Sequence, residues 1–262
     1  EIPGKAGFPA TLGYVAWAIT MIPCAIYALN KIKWSLETDR KSILLGLIVG
    51  LTGAGGQLIL FQAVREGPAY IIFPVISMFP IVTIFLSAIF LKETASRKSW
   101  IGIILAIIAI ALLSYQEPGQ DKVNGYLWLF LASLVFLLWG VQGFFMKFSN
   151  SSMQAESIFF YMMISAVILI PVAILMTDFS VPVNWGFKGP YLATMVHLLN
   201  SIGALTLVYA LRYGKAIIVV PLTGLSPVIT IIVSLVIYAV FPHPVIICGL
   251  ILAVIAMFLL SD

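Results

Sequence analysis

Long uncharged runs constrain this chain more than any other feature of its sequence. Between its 24 charged residues, eight such runs cover 6–30, 42–64, 67–91, 99–116, 123–146, 157–177, 189–211 and 216–261. Seven runs contain 18 to 25 residues, about the length that a helix needs to cross a hydrocarbon core of ~30 Å. The eighth contains 46 residues and is divided at Phe241-Pro242-His243-Pro244, because proline ends a helix. The sequence therefore predicts an all-α integral membrane protein with nine transmembrane helices.

Composition excludes several functional classes. The chain is 62% hydrophobic and 9% charged, whereas a soluble domain has about 25% charged residues. A soluble enzyme and a nucleic-acid-binding protein are both excluded. The apolar runs contain one histidine outside the proline turn, His197, and no acid, so they cannot form a metal centre or a nucleophile–base pair. We therefore predict no enzymatic activity, no metal and no cofactor.

The positive charges predict how the chain is oriented. With nine spans, the loops on the C-terminal side hold ten Lys and Arg residues, and the loops on the other side hold four. Cytoplasmic loops carry the excess of basic residues. The C-terminus is therefore predicted to be cytoplasmic, in a protein of the cytoplasmic (inner) membrane.

The chain contains an internal repeat at an offset of 147 residues. Residues 60–87 match 207–234 at 11 of 28 positions, and 102–114 match 249–261 at nine of 13. We predict two repeats, 1–122 and 123–262, with four and five spans. The complete design is predicted to have ten helices, of which this sequence would lack the first. Five helices in each repeat force the two halves into opposite orientations, and such inverted repeats are typical of secondary transporters.

Several motifs resemble a known family. They are Trp139-Gly140 followed by Lys147, the pattern Ala-x-Arg-x-Gly-x-Ala at 63–69 and 210–216, paired prolines after each copy, and Lys92-Glu93. Because it carries these motifs, the chain resembles the ten-helix, EamA-type members of the drug/metabolite transporter superfamily. The resemblance implies a bundle of two EamA-type repeats with cytoplasmic termini. The second repeat departs from the pattern, because Ala239-Val240 stands where the first repeat has Lys92-Glu93.

Uncharged polar residues indicate where a substrate would bind. His197, Asn200, Ser201 and Ala204 share one face of their predicted helix. The repeat offset maps this face onto Gly50, Gly53, Ala54 and Gln57. We expect Asn200 and Gln57 to face a cavity, because an amide that faces lipid is left without a partner. Two alternatives stay open: His197 as a neutral core histidine, and the small residues as a surface for close helix packing.

Further candidates lie on other spans. Trp139 and Gln142 are neighbours on a helix that the resemblance places beside the central path, and Tyr209 and Gln62 align across the repeats. The paired prolines Pro74, Pro80, Pro221 and Pro227 would act either as conformational hinges or as fixed bends. Trp17, Trp100, Trp128 and Trp185 lie nearer span ends and are predicted to be interfacial anchors.

These features favour a secondary transporter or exporter that works by alternating access. Because no charged residue lies deep in a predicted span, its substrate is predicted to be a small neutral or zwitterionic metabolite: an amino acid, a sugar or an aromatic compound. A proton or sodium is the candidate coupling ion. The predicted partners are thus the small-molecule substrate, this ion and the lipid bilayer, with no nucleic acid. The alternative function is a flippase for a lipid or a lipid-linked sugar.

Overall fold

A computed structural model describes residues 2–115, 125–226, 228–229 and 243–260. These residues form helices and connecting loops. The helices are α1 (Ile2–Lys5), α2 (Ala10–Lys31), α3 (Arg40–Glu66), α4 (Ala69–Ser77), α5 (Pro80–Phe90), α6 (Arg97–Leu113), α7 (Leu127–Ser149), α8 (Ala155–Ile168), α9 (Ile170–Leu175), α10 (Leu192–Tyr213), α11 (Ala216–Gly224) and α12 (Pro244–Leu260). A π-helical segment, Phe187–Tyr191, leads into α10. The predicted all-α fold is confirmed.

Six helices in the described ranges are long and apolar enough to cross a membrane. They are Ala10–Lys31, Arg40–Glu66, Ile71–Phe90, Leu127–Ser149, Ala155–Leu175 and Phe187–Tyr213. Two shorter helices, α6 and α12, have 17 residues each. The rest of the predicted span that follows α11, together with most of the break at 241–244, lies outside the described residues. The protein is thus an integral membrane protein.

Helix bounds recur at the offset of the sequence repeat. Adding 147 to the bounds of α4 gives those of α11, and adding 147 to the bounds of α6 gives those of α12. The bounds of α3 likewise become those of the segment Phe187–Tyr213. The two halves of the chain therefore form corresponding helices.

The described residues divide into two compact units. Unit 1 contains Glu1–Phe61 and Phe145–Tyr213, and unit 2 contains Gln62–Phe144 and Gly214–Asp262. Each unit takes segments from both predicted repeats. The units are thus a spatial division, whereas the repeats at 1–122 and 123–262 remain a prediction about the two halves of the sequence.

In unit 1, α2 packs against α8, α9 and α10. Ala18, Ala25 and Ala28 of α2 are at most 1% exposed, which lets the neighbouring backbones approach closely. Hydrogen bonds connect α2 to α8 and to Thr177, which follows α9. The hydroxyl groups of Thr11 and Thr177 are 2.7 Å apart, and the Tyr14 hydroxyl donates to the Ala166 carbonyl at 3.0 Å.

In unit 2, α6 and α12 form an antiparallel pair. A Cβ built at Gly102, near the start of α6, would lie 3.1 Å from Leu260 at the end of α12. A Cβ built at Gly249, near the start of α12, would lie 3.1 Å from the backbone nitrogen of Leu113 at the end of α6. The two repeat-related helices therefore run in opposite directions, as inverted halves require.

Candidate functional site

The polar stripe of α10 is divided between a helix contact and an exposed surface. Ser201 is fully buried, and its hydroxyl is 3.0 Å from that of Thr20 on α2. His197 is half-buried, with Nε2 3.2 Å from the position that a Cβ would take at Gly13. Asn200 is exposed. Two of the three predicted residues thus contact α2, and Asn200 remains accessible beside them.

We call this contact the α2–α10 seam (Gly13, Thr20, His197 and Ser201). One buried nitrogen atom lies on its α10 side, in His197, and another on α2, in Trp17. Trp17 Nε1 and His197 Nδ1 have no hydrogen-bond partner among the described residues. Gly13, Trp17 and Thr20 share one face of α2, and helical side chains lean toward the N-terminus, which brings the indole toward the level of Gly13. A buried unpartnered polar group costs about 1–3 kcal/mol. The seam can therefore stabilise a polar group that enters it.

Trp17 is a candidate that the sequence did not identify. It was expected to be an interfacial anchor, but its ring packs edge-to-face against Tyr14 with centroids 5.4 Å apart, and its Nε1 is buried. The sequence feature that could have identified Trp17 is its spacing of four residues from Gly13, which places both on one face of the helix. That spacing becomes informative only when the neighbouring helix is known.

Trp128 corrects a second anchor prediction. It is 8% exposed, and its Nε1 donates to the Gly125 carbonyl at 3.2 Å. A Cβ at Gly67 would clash with its indole ring. The glycine of the first Ala-x-Arg-x-Gly-x-Ala motif therefore admits this ring. Trp100 and Trp185 are 38% and 63% exposed, which is consistent with anchors.

The corresponding stripe of α3 is mainly a packing surface. Gly50, Gly53 and Ala54 are buried, whereas Gln57 is half-buried. A Cβ at Gly50 would lie 2.6 Å from Cβ of Ser165 on α8. Helix packing, which the sequence had left open as an alternative, thus accounts for Gly50. Gln57 remains a candidate at the end of this stripe.

Trp139 packs against the interruption between α4 and α5. Its ring meets Phe79 edge-to-face, with centroids 6.1 Å apart and an interplanar angle of 86°. The adjacent Gly140 carbonyl accepts a hydrogen bond of 2.8 Å from the Thr83 hydroxyl. Gln142 is half-buried on the same helix. Trp139 is therefore positioned to respond to a change at this interruption.

Tyr209 and Gln62 both bind a carboxylate. The Tyr209 hydroxyl donates to Glu156 Oε1 at 2.7 Å, and Gln62 Nε2 donates to Glu66 Oε1 at 2.7 Å. These aligned residues thus have similar local partners but lie in different units. Sequence reasoning missed Glu156, because it lies at the border of an uncharged run.

The two proline-containing spans are interrupted at repeat-related positions. The backbone N–H groups of residues 78, 79, 81 and 82 donate to carbonyls only three residues earlier, at 75, 76, 78 and 79, instead of four as in an α-helix. The same pattern leads from 225, 226, 228 and 229 to 222, 223, 225 and 226, each shifted by 147. Pro74 and Pro221 lie inside the preceding helices, and Pro80 begins α5. Pro227 lies outside the described residues. A proline without an N–H explains why α-helical bonding stops here.

Glu93 caps a helix from another part of the chain. Its two carboxylate oxygens each accept a backbone N–H at 3.1 Å, one from Ala216 and one from Ile217, at the start of α11. Lys215 Nζ donates to the Thr94 carbonyl at 2.6 Å. A carboxylate at a helix N-terminus satisfies otherwise unpaired N–H groups and complements the helix dipole. The Lys92-Glu93 motif therefore joins the end of α5 to the start of α11.

Outside the spans, Asp39 has a lowered pKa. Asp39 is exposed and precedes α3, where its Oδ2 accepts the Ser42 N–H at 3.1 Å. Hydrogen bonds from the Ser42 hydroxyl and backbone lower the pKa of Asp39 below its usual value. Asp39 is therefore a helix cap rather than a site residue.

The candidate residues are distributed over both units. Gln57, His197, Asn200, Ser201 and Tyr209 belong to unit 1, whereas Gln62, Trp139, Gln142 and the prolines belong to unit 2. In the described part of the chain, no three His, Cys, Asp or Glu side chains form a group that could hold a metal ion.

Corresponding helices, matched interruptions and a buried polar seam define an integral membrane protein built from two related halves. A model of the EamA-like transporter family matches residues 5–115 and 125–262. The chain therefore belongs to the EamA-like transporter family. This membership identifies a membrane transporter of small molecules and points away from an enzyme.

The chain is also similar to two further proteins. The chain is 40% identical over 96 residues to Uncharacterized protein MJ1333.1 of Methanocaldococcus jannaschii, a match that covers 37% of this chain and 69% of that protein. Its fold is similar to that of a protein known from a crystal structure, with a TM-score of 0.78 and 17% identity, over 99% of this chain and 89% of the other. The second similarity concerns the fold alone.

Proposed function

We propose that this protein is a secondary transporter that moves a small neutral or zwitterionic metabolite across the cytoplasmic membrane by alternating access. An amino acid, a sugar or an aromatic compound would fit this description. The observation that carries the proposal is the pair of helix interruptions at repeat-related positions. A helix can change direction where i→i+3 bonds replace α-helical ones. We therefore assign the hinge role to Pro74, Pro80, Pro221 and Pro227.

The choice of substrate class rests on the buried polar groups. Among the described residues, the buried polar side chains are hydroxyl groups with one exception, Glu156. Hydroxyls, amides and the two unpartnered ring nitrogens can bind a neutral or zwitterionic solute through hydrogen bonds. A fixed charge within the span would instead mark the path of an ion. We assign substrate contact to Asn200, His197, Ser201, Gln57, Trp139 and Gln142, and keep Tyr209 and Gln62 as further candidates.

Exchange in proteoliposomes tests this function. Vesicles containing the purified protein and unlabelled L-amino acids or hexoses are diluted into the corresponding tritiated mixture. We expect saturable exchange that protein-free vesicles do not show. If neither mixture exchanges and fluorescent phospholipids are scrambled between leaflets, the protein is a flippase and the proposal is wrong.

Asn200→Leu tests the assignment of the exposed amide. Because Asn200 is exposed on α10, leucine should be accommodated without unfolding, and exchange should be abolished. Thr206→Leu is the matched control, because Thr206 is also exposed on α10 and its hydroxyl binds its own helix at Ile202. At about 100° per residue, positions 200 and 206 lie on different sides of the helix. Unchanged exchange in Asn200→Leu would show that the cavity face is assigned wrongly.

A further inference from the structure

Glu156 is a buried acid at the start of a membrane-spanning helix. It lies in the first turn of α8, within the apolar segment Ala155–Leu175, and is 7% exposed. It is the one charged residue among the buried residues of the described chain. Burying a carboxylate is costly unless it is paired or protonated. Its surroundings therefore show how the charge is held.

Two side chains from other helices hold this carboxylate. Lys31 Nζ, at the end of α2, lies 3.6 Å from Oε1, and the Tyr209 hydroxyl of α10 donates to the same oxygen at 2.7 Å. The Lys31 ammonium also lies 4.3 Å from the centroid of the Tyr209 ring, a cation–π contact. We call Lys31, Glu156 and Tyr209 the Glu156 triad. It connects α2, α8 and α10 at one end of unit 1.

The neighbouring charged groups are engaged with other partners. Arg212 donates to the Met153 carbonyl at 3.1 Å, and a Glu37 carboxylate oxygen accepts the Gln154 N–H at 3.0 Å. The other Glu37 oxygen accepts the Ser157 hydroxyl. Tyr27 and Tyr213 are neutral phenols that are 67% and 83% exposed. Within the triad, Lys31 is therefore the counter-ion of Glu156.

This counter-ion can leave without becoming buried and unpaired. The Lys31 side chain is 56% exposed, whereas the Glu156 side chain is 9% exposed. A lysine ammonium is a flexible, strongly hydrated point charge. It can turn to water when the carboxylate loses its charge. Tyr209 can stay, because a hydroxyl hydrogen-bonds a neutral acid as well as a carboxylate.

We propose that Glu156 is the site that carries a coupling proton, with Lys31 as the internal cation that replaces it. The inference deepens the proposed transport function and rests on it. A proton binds the carboxylate to give a neutral acid, and the ion pair with Lys31 breaks. Release of the proton restores the carboxylate and the pair. Protonation thus removes the ionic connection between α2 and α8.

The triad favours a proton over sodium. A sodium ion would leave Glu156 a charged carboxylate, for which it would have to compete with the Lys31 ammonium. A neutral acid needs no cation. The proton is therefore the coupling ion that fits the residues present.

Infrared difference spectroscopy measures protonation without any transported solute. Wild-type protein in lipid is titrated with acid, and the carbonyl stretch of a protonated carboxylic acid is followed. We expect Glu156→Gln to lose a band that the matched control Glu37→Gln retains. In Lys31→Gln the same band should appear at higher pH, because the carboxylate has lost its positive partner. A wild-type band unaffected by Glu156→Gln would overturn the proposal.

A transport assay then distinguishes loss of proton coupling from loss of solute movement. Vesicles are loaded with the tritiated L-amino acid mixture or the tritiated hexose mixture, whichever the wild type exchanges, and a pH gradient is imposed. We expect the gradient to drive net flux in the wild type, and Glu156→Gln to lose this flux while retaining exchange. If Glu156→Gln loses exchange too, the infrared titrations of wild type and Lys31→Gln decide. If the wild type exchanges solute but the pH gradient drives no net flux, the coupling role alone is refuted. If the wild type shows no exchange, the transport function is refuted.

Discussion

Removing the Glu93 carboxylate should loosen the start of α11. Two backbone N–H groups donate to this carboxylate, each at 3.1 Å. Hydrogen bonds to a charged group contribute about 1.5–3 kcal/mol each in favourable settings. Glu93 is half-buried, so solvent screening lowers the combined value to about 2 kcal/mol for both bonds. Glu93→Ala loses both, whereas Glu93→Gln keeps one acceptor oxygen and should lose about half of this stabilisation.

Hydrogen exchange followed by mass spectrometry measures this loss locally. A destabilisation of about 2 kcal/mol corresponds to about 30-fold faster exchange, and about 1 kcal/mol to about fivefold. The effect should appear in peptides that cover 214–226 and be ordered Glu93→Ala, then Glu93→Gln, then wild type. Peptides from α12 in the same unit serve as an internal reference, because the two capping hydrogen bonds go to Ala216 and Ile217 of α11.

Glu66→Ala is the matched control for removing a carboxylate. Glu66 accepts a hydrogen bond from the Gln62 side chain within α3, so its loss should leave exchange in 214–226 unchanged. Equal exchange of 214–226 in Glu93→Ala and wild type would refute the capping role. A uniform rise across α11 and α12 would show a global loss of stability instead.

Three further substitutions test packing, titration and hydrogen bonding. Gly50→Ala should destabilise the fold by about 1–3 kcal/mol through overpacking against α8. The control Gly55→Ala should not, because no atom lies within 4 Å of its Cβ position. Thermal unfolding in detergent compares the two variants, and equal melting temperatures would contradict the packing at Gly50. Hydrogen bonding lowers the pKa of Asp39 in the folded protein. Asp39 therefore stabilises the first turn of α3 above its unfolded-state pKa, and this stabilisation is lost as the pH falls through its folded-state pKa. Local hydrogen exchange should show this pH dependence, and Asp39→Asn should remove it. Thr83→Val should lower the free energy of unfolding by about 1 kcal/mol, measured by steric-trap unfolding. Thr206→Val is the exposed control, and an equal loss of stability in both variants would refute a special role for Thr83.

Charge-free runs and the repeat predicted the fold well because both are properties of whole segments. The bilayer requires long uncharged helices, so the bounds of α2 and α3 follow closely from the positions of charged residues. Prolines likewise indicated where the span 67–91 is interrupted. The exact residues between α4 and α5 depended on local hydrogen bonds, which the sequence does not specify.

Site residues were less predictable because side-chain partners come from distant parts of the chain. The stripe of His197, Asn200 and Ser201 was correctly placed on one helix, yet Ser201 contacts Thr20 while Asn200 is exposed. Whether a polar residue lines a surface or bonds a neighbour depends on which helix lies opposite. Glu156 shows the same limit, since its burial arises from packing beside Tyr209.

The contact between α6 and α12 has an approximate two-fold axis. All four buried residues of α12 pair with buried residues of α6 at the repeat offset: Gly102 with Gly249, Ala106 with Ala253, Ala109 with Ala256 and Leu113 with Leu260. The surface is thus complementary to its own copy, like the isologous interface of a homodimer. Two chains of one repeat each could associate through this face alone. A gene duplication that fused such chains would then preserve an interface already in use, and each later substitution on α6 would be tested against its counterpart on α12.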